Sequence, residues 1–163
     1  MQKKGAIQLS ITTIIVIVIG ITLLTLGIVW IRGMMGRLSG LTESSFEQAE
    51  KMVRESMPEG EKLWISGVSF DVDLGKQKEI YLGIRNILGE TQTFKIEIKS
   101  DTGDPNWVLC PKEKVVEAGD IGGVPMIIKI KNAPAGETYF FTINVYDEGG
   151  NLYGSEIISI TTK

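Results

Sequence analysis

Charge is absent from a long apolar stretch near the start of this chain. Residues 6–31 hold 26 consecutive uncharged positions, and 16 of these are Ile, Leu or Val. About 20 apolar residues in a helix are enough to cross a hydrocarbon core of ~30 Å. The pattern therefore predicts a transmembrane or filament-core helix over residues 6–31. It also predicts a single-pass cell-membrane protein in contact with lipid, with a cytoplasmic N-terminus and its C-terminal domain outside.

A helical pattern of a different kind follows. Between residues 32 and 60, apolar or small residues recur three and four positions apart, which predicts an amphipathic helical stalk. Glu50 lies four residues before Arg54, a spacing that supports a helix, and Pro58 ends it. Three glycines interrupt the stretch, namely Gly33, Gly36 and Gly40. Each costs about 1 kcal/mol relative to alanine in a helix. Either one long helix runs from about residue 6 to residue 57, or two helices meet at a flexible joint.

From residue 61 onward, apolar and polar residues alternate. Strict alternation is typical of antiparallel strands that are buried on one side and wet on the other. The clearest alternating stretches are residues 80–84, 94–98, 126–130 and 141–145. Turn residues separate these stretches and several shorter ones at intervals of about a dozen positions, which predicts an immunoglobulin-like sandwich of about seven strands.

The three patterns together predict the fold class and the domains. The fold class is α+β, with a long N-terminal transmembrane or filament-core helix followed by an all-β sandwich. The predicted divisions are the apolar helix over 6–31, the stalk over 32–60 and the sandwich domain over 61–163.

The composition argues against catalysis and against nucleic-acid binding. The chain has no histidine, which is the commonest general base and metal ligand, and Cys110 is its single cysteine. The sequence therefore predicts a non-enzymatic protein with no cofactor and no metal site. With 17 basic and 20 acidic residues, a net charge of −3, the chain also lacks the basic surface that nucleic acid requires.

Two acidic groups and two tryptophans are weaker candidates for a binding site. Asp71 and Asp73 share one face of an expected strand, and an acidic loop spans residues 101–104. Such carboxylates bind Ca²⁺, but neither group matches an EF-hand loop, so solvated surface acids are the preferred interpretation. Trp64 and Trp107 are candidates for a carbohydrate platform, although a buried aromatic is the commoner role.

The residues before the apolar stretch carry a family resemblance. Lys3, Lys4, Gly5 and Ala6 run directly into it, and this string resembles the type III signal sequence of archaeal type IV pilin-like proteins. In that family a prepilin peptidase cuts after the small residue that follows the basic residues, and the apolar segment is kept as the filament core. The resemblance implies that residues 1–5 are a leader and that the chain is cut between Gly5 and Ala6.

Small residues recur along one face of the expected apolar helix. Thr13, Gly20 and Gly27 are spaced seven positions apart. Small residues allow neighbouring helices to approach closely where apolar burial alone does not drive association. The stripe therefore predicts self-association through the N-terminal helix. The alternative is that glycine and threonine are simply frequent in membrane helices.

Two functional hypotheses follow. The first is a structural subunit of a type IV pilus-like cell-surface filament, whose helix packs in the filament core and whose sandwich forms the outer surface. The second is an uncut, membrane-anchored extracellular binding module, such as an archaellum stator-like or envelope-binding protein, whose sandwich holds an envelope or surface partner.

Overall fold

The computed structural model describes residues 11–35 and 41–163. The chain divides into two compact units, Met1–Arg37 and Leu38–Lys163. Helix α1 (Ile11–Met35) belongs to the first unit, whereas helix α2 (Glu43–Ser56) and all the described strands belong to the second.

The predicted long N-terminal transmembrane or filament-core helix is wrong. Of the two alternatives that the sequence left open for residues 6–57, the structure has two separate helices, α1 and α2. At the start of α2, Thr42 has an extended backbone (φ −100°, ψ 166°) and serves as the N-cap. Extended backbone at this residue begins a new helix rather than continuing an earlier one. At the other end, Met57 is again extended (ψ 122°), as expected for the residue before Pro58.

Within residues 11–35 and 41–163, no helix combines the length and the hydropathy that a membrane crossing requires. The prediction of a single-pass cell-membrane protein, with a cytoplasmic N-terminus and an outside C-terminal domain, is therefore wrong.

The predicted β-sandwich is confirmed, with nine strands in the described residues rather than about seven. They are β1 (Leu63–Ile65), β2 (Ser69–Val72), β3 (Gln77–Arg85), β4 (Gln92–Ser100), β5 (Val108–Leu109), β6 (Glu113–Val116), β7 (Ile121–Lys129), β8 (Thr138–Tyr146) and β9 (Leu152–Thr162). One sheet has four strands in the order β1-β3-β7-β5, and the other has five in the order β2-β9-β8-β4-β6. All pairs are antiparallel except β2 with β9.

The core lies between the two sheets and is built from the inward-facing positions of the alternating strands. Phe94 and Phe141 from the five-stranded sheet and Met126 from the four-stranded sheet are fully buried there. Tyr153 packs its ring on Phe94 with centroids 4.7 Å apart. Its hydroxyl also donates a hydrogen bond to the backbone carbonyl of Arg85, which links the two sheets.

Helix α2 covers the outer side of the four-stranded sheet. Ala49 and Val53 of α2 are fully buried, and they lie over Gly83 of β3 and Gly123 of β7, which are register partners. Alternation explains the placement, because Leu82 and Val124 beside these glycines point into the core and leave the glycines facing α2.

A partly buried carboxyl on β9 makes the stability of the sandwich depend on pH. Burial raises the pKa of Glu156, and the Glu61 carboxylate raises it further. Because the pKa of Glu156 is higher in the folded state than in the unfolded state, the protonated carboxyl stabilises the folded state relative to the unfolded state. This stabilisation is fully present at pH values below the unfolded pKa of about 4.3. It is lost as the pH rises through the folded pKa.

We therefore expect Glu156→Gln to raise the melting temperature at pH 7 by about 1–3 °C, since solvent screens this partly exposed group. The difference should disappear near pH 4, where the carboxyl is protonated. Glu148→Gln, in the exposed β8–β9 turn, is the matched control. Thermal unfolding of the full chain at both pH values measures the effect, and equal melting temperatures for the two variants at pH 7 contradict it.

Candidate assembly surface

Helix α1 presents large apolar side chains to its surroundings on every described side. Those that are 43–64% exposed are Ile14, Ile15, Val16, Ile17, Val18, Ile19, Ile21, Leu23, Leu24, Leu26 and Ile28. Consecutive helical residues point about 100° apart, so a run of this length surrounds the helix with apolar surface. Isolated exposed apolar residues are normal on a protein surface, whereas a contiguous patch of this kind marks an interaction site.

Two threonines on this helix, Thr22 and Thr25, use their hydroxyl groups within the helix. The Thr22 hydroxyl donates to the backbone carbonyl of Val18 at 2.8 Å, and the Thr25 hydroxyl donates to that of Ile21 at 2.9 Å. Such back-bonding within a helix satisfies the hydroxyl without an outside partner. What these two residues offer a neighbouring surface is therefore mainly their methyl groups.

The predicted packing stripe lies within α1. Residues seven apart in a helix differ by about 20° in direction, so Thr13, Gly20 and Gly27 share one face. A Cβ added at Gly20 or at Gly27 would meet no described atom within 4 Å. The stripe is thus a shallow groove among branched side chains, and its use in packing between copies stays a prediction.

The predicted processing site lies outside the described residues. Lys3, Lys4, Gly5 and Ala6 all precede Ile11, where the description of the chain begins. The cut between Gly5 and Ala6 therefore stays a prediction from the sequence.

Three of the acidic candidates in the sandwich have partners within the domain. Asp71 forms an ion pair with Lys163 at 2.6 Å, and Asp73 forms one with Lys76 at 2.8 Å. The hydrogen bond from Lys76 holds the pKa of Asp73 below its usual value. In the other acidic loop, Asp104 accepts hydrogen bonds from the backbone and side chain of Asn106 and thereby caps a single 3₁₀ turn. These carboxylates have structural partners.

Trp107 and Cys110 lie against the sandwich core. Trp107 packs edge-on against Tyr139 with ring centroids 5.0 Å apart, so it does not offer a flat platform for a sugar. Trp64 lies in β1 and is partly exposed. Burial raises the pKa of the Cys110 thiol to about 12, so the group is protonated at neutral pH and is not a reactive nucleophile.

Sequence reasoning missed a second, smaller apolar surface on the outer face of the five-stranded sheet. Phe140 is 56% exposed and Ile157 is 59% exposed. The register pairs Phe140 with Ser159 and Thr142 with Ile157, so the two apolar residues are diagonal neighbours on β8 and β9. The signal was present in the sequence, since Phe140 and Ile157 fall on the polar side of alternating strands.

Comparisons with known proteins find solved structures with a similar fold but identify no family. No family model and no curated protein matches the chain. The SrpA adhesin from Streptococcus sanguinis is 19% identical with a TM-score of 0.47, over 62% of this chain and 57% of that one. The CupB2 chaperone from Pseudomonas aeruginosa is 12% identical with a TM-score of 0.47, over 61% of this chain and 55% of that one.

A FixG-related protein from Vibrio parahaemolyticus is 12% identical with a TM-score of 0.46, over 63% of this chain and 98% of that one. The chain spans little more than half the length of the adhesin and of the chaperone. At these identities and TM-scores the likeness carries no inference about function. The structure itself defines the class, which is a β-sandwich protein with an exposed apolar N-terminal helix.

Proposed function

We propose that this chain is a non-enzymatic structural subunit of a type IV pilus-like cell-surface filament, cut by a prepilin peptidase between Gly5 and Ala6. Copies of α1 pack against one another in the filament core, and the sandwich forms the outer surface. The observation that carries the proposal is the apolar surface of α1, which side chains between Ile14 and Ile28 present to the surroundings.

The size of that surface supports assembly. Complete burial of an aliphatic side chain stabilises by about 1.5–3 kcal/mol, and the large side chains of α1 are roughly half exposed. Covering them all in a bundle of copies is therefore worth on the order of 10 kcal/mol per subunit before the entropy cost of association. The stripe of Thr13, Gly20 and Gly27 is the face along which we expect the helices to approach most closely.

The charges of the two parts of the chain support the same arrangement. With residues 1–5 removed, the mature chain would keep 15 basic and 20 acidic residues, a side-chain net charge of −5, and no charged side chain would lie between Ala6 and Ile31. A filament core has no water to solvate a charge, so an uncharged helix suits it. The acidic residues all lie beyond Ile31. In the proposed filament they would belong to the outer surface, which is exposed to solvent.

The processing step gives the direct test. In cells that hold a prepilin peptidase, we expect the mature protein to begin at Ala6, so its intact mass should lack Met1 to Gly5. Gly5→Val should leave the chain uncut, because a branched side chain at the scissile bond does not fit a cleft made for a small residue. Gln2→Ala, which alters the leader away from that bond, should be cut normally. An assembled protein that keeps Met1 contradicts the proposal.

A further inference from the structure

Helix α2 packs on the sandwich without taking part in its core. The core cluster consists of side chains from the strands and the loops that join them and, among the described residues, it includes none from α2. Ala49 and Val53 are fully buried, but they lie against the outer side of the four-stranded sheet. The two sheets can therefore keep their core when α2 is absent from this surface.

The contact surface under α2 includes two glycines, Gly83 and Gly123. A Cβ at Gly123 would lie 2.5 Å from the backbone of Ala49, and a Cβ at Gly83 would lie 2.6 Å from a methyl of Val53. The missing side chains let the helix backbone approach the sheet closely. At these two positions the sheet offers α2 no side chain to cover.

Polar groups on α2 complete the attachment. The Glu50 carboxylate accepts hydrogen bonds from the backbone N–H of Gly123 and from the Lys114 ammonium, the latter at 3.2 Å. Arg54 donates two hydrogen bonds to the Asp120 carboxylate, at 2.8 and 2.9 Å. The side chains of Arg54 and Asp120 are 47% and 41% exposed. Ion pairs this exposed are weak and are screened by salt.

The same contacts cover an edge of the four-stranded sheet. Strand β5 pairs with β7 only at Ile127 and Ile128, so within residues 11–35 and 41–163 no strand adjoins the earlier part of β7 on that side. There the N–H of Gly123 donates to Glu50 of α2. The N–H of Ile121 donates to the neighbouring Asp120 carboxylate, which also accepts from Arg54 of α2. Pro125 has no N–H to offer. Glu50 of α2 thus occupies a backbone donor, the Gly123 N–H, that an unprotected sheet edge would present to another chain.

From these observations we infer that α2 is a releasable strap, which leaves the sheet as one unit while the sandwich stays folded. Along the chain α2 lies between α1 and β1, so its release lengthens the connection between the apolar helix and the sandwich. Its 14 residues span about 21 Å as a helix and at most about 50 Å when extended. The inference does not depend on the proposed filament function.

Hydrogen exchange of the full chain in mild detergent tests the inference on the unchanged protein. We expect the amides of α2 and of Gly123 to exchange together, at least about tenfold faster than those of β8 and β9. Raising NaCl from about 0.01 M to about 1 M should accelerate this group further and leave β8 and β9 unchanged, because the Debye length falls from ~30 Å to ~3 Å. Exchange of α2 only together with β8 and β9 overturns the inference.

Two adjacent glycines provide a matched pair of variants, since their added Cβ atoms point to opposite sides of β7. Gly123→Ala places a Cβ against the Ala49 backbone, which cannot move without α2. We expect this variant to accelerate α2 exchange at least about tenfold with β8 and β9 unchanged. Gly122→Ala places its Cβ 2.6 Å from a methyl of the core residue Val116 and should accelerate exchange throughout the sandwich. If Gly123→Ala behaves like Gly122→Ala, α2 is an integral part of the domain and the inference is wrong.

Discussion

Replacing Asn86 by aspartate is expected to lower the free energy of unfolding at pH 7 by about 4 kcal/mol. Asn86 is fully buried. Its side-chain amide donates to the backbone carbonyls of Glu90 and Val116 at 2.8 and 2.9 Å, and its side-chain oxygen accepts from the N–H of Leu88 at 2.9 Å. Aspartate keeps the acceptor but puts a second oxygen against the two carbonyls, so two buried hydrogen bonds become repulsive contacts.

The backbone of Asn86 adds to the importance of this site. Its N–H donates to the carbonyl of Asp120, and its carbonyl accepts from the N–H of Gly119, both at 2.9 Å. One residue thus joins the loop after β3 to the turn before β7 and to the end of β6. Because all these groups are satisfied within the protein, loss of the side-chain donors leaves buried carbonyls without partners.

The pH dependence of the Asn86→Asp variant provides a second measurement. Burial against two carbonyl oxygens should raise the pKa of the new carboxyl above its unfolded value, so the loss of stability should shrink as the pH falls toward 4. Asn144→Asp makes the same chemical change at a partly exposed position on β8 and should cost less than about 1 kcal/mol. Urea unfolding followed by tryptophan fluorescence measures both. Equal losses in the two variants contradict the prediction.

The strands could be predicted from the sequence where one face of the strand is buried in the core and the other face is exposed to solvent. Residues 80–84 and 94–98 lie within β3 and β4, and their alternate residues form the core. The pattern weakens in β7, because α2 covers the second face and Ile127 is buried there as well. Strands β1 and β5 have three and two residues, too few for any period to show.

The separation of the helices and the position of α2 could not be predicted in the same way. The sequence left open whether the stretch from 6 to 57 is one helix or two, because the glycine cost is small beside the packing energy that can override it. The attachment of α2 depends on pairs far apart in the chain, such as Arg54 with Asp120 and Glu50 with Gly123. Local spacing does show Glu50 and Arg54 as a helical pair, and they are 3.9 Å apart. It cannot show that both side chains also bind the sandwich.

The candidate site on α1 was the most accessible to sequence reasoning. A helix has a fixed period, so the spacing of Thr13, Gly20 and Gly27 is enough to place them on one face once the helix is known. What the structure adds is that no described atom lies near a Cβ added at either glycine. A substitution there therefore tests contacts with other copies of the chain rather than contacts within it.

Filling the glycine stripe is expected to prevent filament assembly. Gly20→Leu should leave the chain itself at least as stable, because a Cβ at Gly20 meets no described atom and leucine favours a helix by up to about 1 kcal/mol over glycine. If copies of α1 pack closely along this stripe, the added side chain separates them and removes contacts along the whole face. We expect at least a tenfold loss of filaments sheared from cells, since about 1.4 kcal/mol per subunit already changes an equilibrium tenfold.

The matched control is Val18→Phe, which adds the same number of carbon atoms about 200° around the helix from Gly20. This variant should assemble at close to the normal level, and both variants should be cut after Gly5 and should accumulate to the same amount in cells. Equal assembly of Gly20→Leu and the unchanged protein would show that the glycine face is not a packing surface. Equal loss in both variants would show instead that every side of α1 is packed with similar tightness. The stripe then has no special role, although the filament proposal still stands, because cleavage after Gly5 and the burial of α1 test that proposal separately.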